Sequence, residues 1–290
     1  MMVHDHLQRA TANGVRAIAA ITTQLTEEAR RRHDCYPVAT AALGRCMTGA
    51  LLLAANLKTE ETLTVRIDGK GPLGSILADA RPDGMVRGYV KHPHVDIPLK
   101  NGKLDVGSAV GEGEIYVTRF TGLKEPFTGS TSLVSGEIAE DLTHYLYTSE
   151  QTPSTISLGV LINPDLSVAA SGGLFIQALP GANDEDLLAI EANLAVMPPL
   201  SHFIAEGQPA EAILRFIFAG LSVTLYESQK VAFSCTCSRD RVIQALISLG
   251  YEELINIAQD GQAELSCHFC NEKYHFQKNE LETLALDLRS

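Results

Sequence analysis

The sequence lacks an uninterrupted apolar run of about 18 residues, the length that a membrane-spanning helix requires. It also lacks a cleavable signal pattern, because residues 1–16 mix charged and histidine side chains with apolar ones. These absences predict a cytoplasmic protein with no membrane partner. In that reducing compartment, six cysteines are expected to be thiols, metal ligands or redox sensors and not a permanent disulfide framework.

The chain is also short of positive charge. It has 23 Lys and Arg against 35 Asp and Glu, for a formal net charge of -12. A nucleic-acid partner is disfavoured, because binding to phosphates depends on Lys and Arg that neutralise them. A Walker-type phosphate loop is missing too, which fits a function without ATP hydrolysis.

One glycine-rich motif resembles the phosphate-binding loop of dinucleotide-binding proteins. Residues 69–74 read Gly-Lys-Gly-Pro-Leu-Gly and match G-x-G-x-x-G after a predicted strand. A dinucleotide site needs a helix to begin there, yet Pro72 and the alternation after Gly74 favour a hairpin. The motif is therefore interpreted as a turn between two strands.

Hydrophobic periodicity predicts a mixed fold of the α/β class, α+β in type, with mostly antiparallel sheets and packed helices. Strands at 62–68, 73–79 and 85–90 are separated by short turns and predict an antiparallel meander. The other predicted elements are helices at 15–31, 37–57 and 138–147 and strands at 115–120, 154–162 and 166–179.

The pattern predicts three regions: an N-terminal α/β core at 1–180, a helical linker at 181–234 and a small C-terminal domain at 235–290. The linker breaks at Pro198 and Pro199 and continues as a strongly apolar helix over residues 210–219. Such a helix is either buried against the larger domain or an exposed binding face. Both interpretations hold if the burial is reversible.

Four cysteines carry the chemistry. Cys235 and Cys237 are separated by 29 residues from Cys267 and Cys270. Two close pairs on two turns, joined by an insert with the size of a helix and a hairpin, predict a tetrahedral zinc site. The last 56 residues are few for an independent core and would gain from a metal.

Two histidines and two further cysteines are alternative candidates for metal ligands. His268 and His275 lie close in sequence to the second pair, but four cysteines already complete a structural zinc shell. Cys35 and Cys46 each lack a nearby cysteine, so they are expected to be small buried hydrophobic residues.

The spacing of the first pair raises the question of redox chemistry. A single residue separates Cys235 from Cys237, which allows their sulfurs to meet, whereas a zinc ribbon normally uses two C-x-x-C pairs. A disulfide in so small a ring departs from relaxed geometry and is comparatively easy to reduce. Zinc-bound thiolates are also the form that oxidants attack.

With these residues, the chain resembles the redox-regulated 33-kDa heat-shock chaperone family over nearly its whole length. The most specific resemblance is Cys-Thr-Cys-Ser-Arg at 235–239 followed by Cys-His-Phe-Cys-Asn at 267–271. Weaker agreements are Thr-Val-Arg at 64–66, Ser-Glu-Gln at 149–151 and Gly-Gly at 172–173.

The resemblance implies an inactive reduced form with one zinc ion on the four cysteines. It implies an active oxidised form with disulfides Cys235–Cys237 and Cys267–Cys270, which unfolds in part and dimerises. The implied function is that of an ATP-independent holdase, not an enzyme, which keeps unfolding client proteins from aggregating until ATP-dependent foldases act.

Two other classes of function are compatible with a cluster of cysteines. A structural zinc-ribbon adaptor for RNA, ribosome or protein would explain the cysteines equally well, but the acidic balance and the lack of a basic, aromatic stripe oppose it. A thioredoxin-like thiol oxidoreductase would place its C-x-x-C pair after an early strand. A zinc hydrolase would keep an open metal position with a carboxylate base nearby. Asp240 and Glu264 are instead interpreted as solvated surface.

Overall fold

The computed structural model describes residues 4–122 and 125–288. The chain divides into two compact units, residues 1–234 and residues 235–290. Residues 181–234 fall in the first unit, and their separation as a linker domain stays a prediction. The elements of the first unit are β1 (His6–Ala12), β2 (Val15–Ile21), α1 (Thr23–His33), α2 (Pro37–Ala54), β3 (Thr62–Gly69), β4 (Ser75–Ala80), β5 (Met85–Val90), α3 (Val106–Val110), β6 (Gly113–Phe120), β7 (Phe127–Ser132), α4 (Ala139–Thr148), β8 (Ser154–Ile162), β9 (Val168–Ala178), α5 (Asp184–Val196), α6 (Leu200–Ala205), α7 (Ala210–Ile217), β10 (Thr224–Leu225), β11 (Gln229–Lys230) and β12 (Ala232–Phe233).

Within the described ranges, these strands form two six-stranded sheets. The first sheet has the order β10-β1-β2-β9-β8, and β11 also pairs with β1. The second has the order β12-β5-β4-β3-β6-β7, in which β12 runs parallel to β5 and the other pairs are antiparallel. The predicted meander of β3, β4 and β5 and the mixed, mainly antiparallel fold class are confirmed.

Helix α2 is central to the larger core. All of its residues except Pro37 and Arg45 are buried, and it contacts strands of both sheets. By length and composition alone this helix could cross a membrane, but 89% of it is buried inside the fold, as in a core helix of a soluble protein. The prediction placed its end at residue 57, whereas the helix ends at Ala54.

The prediction of a helix over residues 15–31 was wrong in its first half. Residues 15–21 form strand β2, which lies between β1 and β9, and only Thr23–His33 is helical. Ile18 faces the core around α2, while Ala17 and Ile21 face the core on the other side of the sheet. A strand buried on both faces loses its polar alternation. The apolar residues Ile18, Ile21 and Leu25, three and four positions apart, therefore match the spacing of an amphipathic helix although the first two lie on a strand.

The predicted helices of the linker are present as α5, α6 and α7, with a break at Pro198 and Pro199, and the apolar helix predicted over residues 210–219 ends at Ile217. They cover the face of the first sheet opposite α2, and α7 contacts β1 and β2. Ile213, Leu214 and Ile217 are fully buried there. The apolar helix is therefore buried in this structure and is not an exposed face.

The glycine motif at 69–74 forms the predicted turn. Gly69 ends β3, Gly74 has a positive φ of 66°, and β4 begins at Ser75. The N–H of Gly71 donates to the carbonyl of Val110 at 2.8 Å, where an added side chain would collide with that backbone. An antiparallel strand follows the motif where a dinucleotide site requires a helix.

The second unit is small and has its own core. Six buried residues form that core: Leu246, Leu254, Ala258, Phe276, Leu281 and Ala285. Its elements are α8 (Arg239–Ile247), α9 (Tyr251–Gln259), β13 (Gln262–Ser266), β14 (Lys273–Gln277) and α10 (Lys278–Asp287). Strands β13 and β14 pair as an antiparallel hairpin.

Candidate metal centre

The first cysteine pair lies on the turn that leads into α8. The hydroxyl of Ser238 caps this helix by accepting the N–H of Arg241 at 3.3 Å. The guanidinium of Arg241 in turn donates to the hydroxyl of Thr236, between the two cysteines, at 2.9 Å. These local bonds hold the short turn that carries Cys235 and Cys237.

The second pair lies in the loop of the β13–β14 hairpin. The N–H of Cys267 donates to the carbonyl of Glu272 at 2.9 Å, and the N–H of Asn271 donates back to the carbonyl of Cys267 at 2.7 Å. Asn271 adopts a positive φ of 58°, a conformation that asparagine tolerates better than most residues. The tight loop holds Cys267 and Cys270 close together.

The structure brings all four predicted sulfurs together. The Sγ atoms of Cys235 and Cys267 are 3.8 Å apart, and those of Cys237 and Cys270 are 3.3 Å apart. All four lie within 4.8 Å of one another. A zinc–sulfur bond of about 2.3 Å places the corners of a regular tetrahedron about 3.8 Å apart. The four-cysteine cluster (Cys235, Cys237, Cys267 and Cys270) therefore has the dimensions to hold a metal ion.

Burial affects the charge of these thiols. Cys270 is buried, and loss of solvent raises its pKa above the ordinary value for a thiol. Burial also raises the pKa of Cys267. The thiolate form in this site therefore needs a compensating positive charge, which a bound metal cation would supply. The donor set fits a soft, tetrahedral metal better than the oxygen-binding Mg²⁺ or Ca²⁺.

Neither neighbouring histidine belongs to the cluster. Among the described residues, the group of metal-binding side chains that converges consists of the four cysteines. His275 lies on β14, where its Nδ1 atom is 3.5 Å from a carboxylate oxygen of Glu264. Glu264 also pairs with Lys273 at 2.8 Å on the exposed hairpin, so it is a surface carboxylate as predicted.

The remaining two cysteines lie in the core of the first unit. Cys46 is fully buried and Cys35 is 4% exposed, which confirms them as small buried residues. Burial raises the pKa of each thiol to about 12. At neutral pH both are therefore protonated and poorly reactive.

Sequence reasoning missed two side chains that support the centre. The hydroxyl of Tyr274 donates a hydrogen bond to Sγ of Cys237 at 3.1 Å, and this bond raises the pKa of Tyr274. Arg239 stacks 4.2 Å above the ring of Phe276 and donates to Glu280 at 2.6 Å, which ties the start of α8 to β14 and α10. The sequence signal that could have pointed to the first contact is the position of Tyr274, four residues after Cys270.

Comparisons with known proteins agree with this arrangement. Residues 5–277 match the family described as Hsp33 protein. A 33 kDa chaperonin of Desulforamulus reducens is 51% identical over 286 residues, which cover 97% of each chain. Another, from Geobacillus kaustophilus, is 49% identical over 285 residues, again 97% of each chain.

A solved structure is similar along the same length. The crystal structure of the 33 kDa chaperonin (heat shock protein 33 homolog) of Thermotoga maritima matches with a TM-score of 0.91 and 36% identity, and covers 98% of this chain and 99% of that one. Both the sequence and the fold are thus shared with chaperonins over nearly the full length. The chain therefore belongs to the Hsp33 family, and this membership supports a chaperone function.

Proposed function

We propose that this protein is a cytoplasmic, ATP-independent holdase that oxidation switches on through its four cysteines. The observation that carries the proposal is the convergence of the four sulfurs within 4.8 Å in a small, separate unit. Family membership supplies the chaperone function, and the cysteines supply the means of regulating it.

In the reduced form, Cys235, Cys237, Cys267 and Cys270 would hold one zinc ion. When bound, zinc would keep these sulfurs as thiolates and link the turn before α8 to the β13–β14 hairpin. Among the residues of this unit that the structure describes, six form its buried hydrophobic core. Because structural zinc contributes roughly 10 kcal/mol or more to the folding of such modules, the unit depends on the metal for its fold.

Oxidation would remove the ligands. With hydrogen peroxide as the oxidant, each pair of thiolates gives up two electrons and forms one S–S bond, and the peroxide takes up these electrons and two protons from solvent to give two waters. The expected pairing is Cys235 with Cys237 and Cys267 with Cys270. Disulfide sulfurs are poor metal ligands, so the metal leaves and the unit loses its main source of stability.

The client-binding surface would come from the segment that precedes this unit. Helix α7 buries Ile213, Leu214 and Ile217 against the first sheet, and Ser234, the residue before Cys235, is hydrogen-bonded to Val86. Unfolding that begins at Cys235 would release this segment and expose its apolar side chains. The oxidised protein would then dimerise, bind unfolding clients and pass them to ATP-dependent foldases when reducing conditions return.

Hydrogen exchange tests the metal dependence directly. The reduced protein is compared with and without stoichiometric zinc, and metal is removed with a chelator that leaves the thiols unmodified. We expect metal removal to raise exchange throughout α8, α9 and α10 while β2 and β9 stay protected. Equal protection of α8, α9 and α10 in the two states would contradict a fold held by the metal.

A further inference from the structure

Helices α5, α6 and α7 form a helical cover over one face of the first sheet, and α5 caps the end of α7. The side-chain amide of Asn193 on α5 donates to the carbonyls of Ile217 and Ala219, each at 3.0 Å. Ile217 is the last residue of α7, and the last carbonyls of a helix have no backbone donor within it. The last turn of α5 therefore holds the end of the helix that buries the proposed client surface.

Met197 fixes this last turn of α5. It is the residue that directly follows the helix, and its N–H donates to the carbonyl of Leu194 at 3.2 Å. The side chains of Leu194 and Met197 both pack against the hydrophobic core under the helical cover. Pro198 and Pro199 come next and have no N–H with which to extend the helix. The end of α5 therefore depends on side-chain packing, to which the thioether of Met197 contributes.

The position of Met197 also makes its sulfur accessible to small oxidants. Its side chain is partly exposed, whereas Met47 is fully buried in the core around α2. Met85 on β5 is partly exposed as well, but it does not belong to the side chains that pack against either core of the first unit. Among the described methionines, Met197 thus combines access for an oxidant with packing against a core.

Oxidation would change this packing contact. Hydrogen peroxide transfers one oxygen atom to a thioether, so the sulfur loses two electrons and becomes a sulfoxide, and the peroxide leaves as one water. The sulfoxide is polar, and its oxygen requires a hydrogen-bond donor when it is buried. The hydrophobic side chains of the core under the helical cover offer no such donor. The oxidised side chain is therefore expected to turn toward solvent and to leave the end of α5 unpacked.

We propose that Met197 is a second oxidation site of this protein, whose sulfoxide loosens the helical cover. The consequence for clients rests on the proposed function, in which zinc loss releases α7. The sulfoxide leaves the four cysteines untouched, so zinc stays bound and the client surface stays closed. It lowers the free energy that is needed to release α7 once the metal has left. One oxidant thus acts on the metal centre and on the helices that the centre controls.

Peptide mass mapping tests whether the site is oxidised. The reduced, zinc-bound protein is treated with hydrogen peroxide, and samples are quenched at successive times. We expect an added oxygen atom at Met197 and none at the buried Met47. A Met197 that is still unmodified when all four cysteines of the cluster are oxidised would overturn the proposal.

Two substitutions test the effect on the helical cover without an oxidant. Met197→Gln places a polar group where the sulfoxide would lie, and Met197→Leu keeps an apolar side chain of similar volume. In the reduced, zinc-bound proteins we expect the amides of α7 to exchange about five- to thirtyfold faster in Met197→Gln than in Met197→Leu, with equal zinc content. Equal exchange rates in α7 would overturn the proposal.

The parent protein provides the same test without a substitution. After oxidation, its disulfides are reduced with a dithiol and zinc is restored, a treatment that leaves methionine sulfoxide in place. The amides of α7 should still exchange faster than before oxidation, and methionine sulfoxide reductases should reverse the change. Met85→Leu should retain this behaviour and Met197→Leu should lose it. Exchange in α7 that is the same before and after repair by the reductases would contradict the proposal.

Client aggregation separates this inference from the proposed function. Under peroxide, Met197→Leu should lose zinc at the same rate as the parent protein but should suppress aggregation of an unfolding client later. Equal time courses of suppression would overturn the inference and leave the proposed function standing. If zinc leaves and neither protein suppresses aggregation, the proposed function fails, and faster exchange of α7 in the sulfoxide form would still support Met197 as an oxidation site.

Discussion

The hydroxyl of Tyr274 donates a hydrogen bond to the Sγ atom of Cys237 over 3.1 Å. The tyrosine is on β14 and the cysteine precedes α8, so this bond joins the two halves of the four-cysteine cluster. A donor to a metal-bound sulfur stabilises its negative charge and lowers its nucleophilicity. Tyr274 is therefore expected to set how readily the site is oxidised.

Replacing Tyr274 by Phe should speed oxidation of the cluster. The change removes only the hydroxyl, and we expect about two- to tenfold faster loss of thiols under peroxide, with weaker zinc retention against a chelator. Thiol content and released zinc, measured in samples quenched at successive times, give the rate of thiol loss and the rate of zinc loss. Tyr147→Phe, at an exposed tyrosine on α4, is the control. Identical rates for the two variants would show that the hydroxyl has no influence on the centre.

The cysteines should fall into two classes. Cys235→Ser removes a ligand, so zinc content should drop well below about one ion per chain and activity should no longer follow oxidant. Cys35→Ser should leave both properties intact, because Cys35 is buried in the first unit and burial raises its pKa to about 12. Metal analysis and aggregation assays check this pair. Similar effects of the two substitutions would contradict the assignment of ligands.

The buried face of α7 should hold the chaperone inactive. Leu214 is fully buried, and Leu214→Ala is expected to cost about 2–5 kcal/mol of local stability. The reduced variant should then suppress client aggregation without oxidant while it retains zinc. Leu188→Ala, at a residue that is 65% exposed on α5, is the control. A reduced Leu214→Ala protein as inactive as this control would separate α7 from the client surface.

Asp5 should make the first unit more stable at low pH. Burial raises its pKa from 3.8 to about 6, although its oxygens accept the N–H groups of Gln24 and Leu25 at the start of α1. The folded state therefore binds the proton more tightly than the unfolded state. The resulting stabilisation, roughly 3 kcal/mol, is complete below about pH 4 and is lost as pH rises through 6.

Denaturant unfolding at several pH values measures this effect. Asp5→Asn cannot ionise and should flatten the pH dependence of the unfolding free energy between about pH 4 and 6. Asp96→Asn, at an exposed residue, should leave the dependence unchanged. An unaltered slope in Asp5→Asn would mean that another group is responsible.

The four cysteines of the candidate site were predicted from the sequence more accurately than the secondary structure of the first unit. The cysteine spacing indicates two local turns. Each turn is held by hydrogen bonds between residues close in sequence, such as the bond from the N–H of Cys267 to the carbonyl of Glu272. Strand β2 was mistaken for a helix because both of its faces are buried by distant parts of the chain. The contact of Tyr274 with Cys237 crosses 37 residues and depends on how the hairpin closes on the turn, which no local pattern encodes.

The most direct test follows zinc, thiols and client aggregation in one sample. The purified protein is exposed to peroxide under mildly unfolding conditions while released zinc, remaining thiols and light scattering by an unfolding client are recorded. We predict that one zinc ion leaves as four of the six thiols disappear, and that suppression of aggregation rises with the same time course. Complete loss of zinc and of the four thiols with no change in client aggregation would contradict the account.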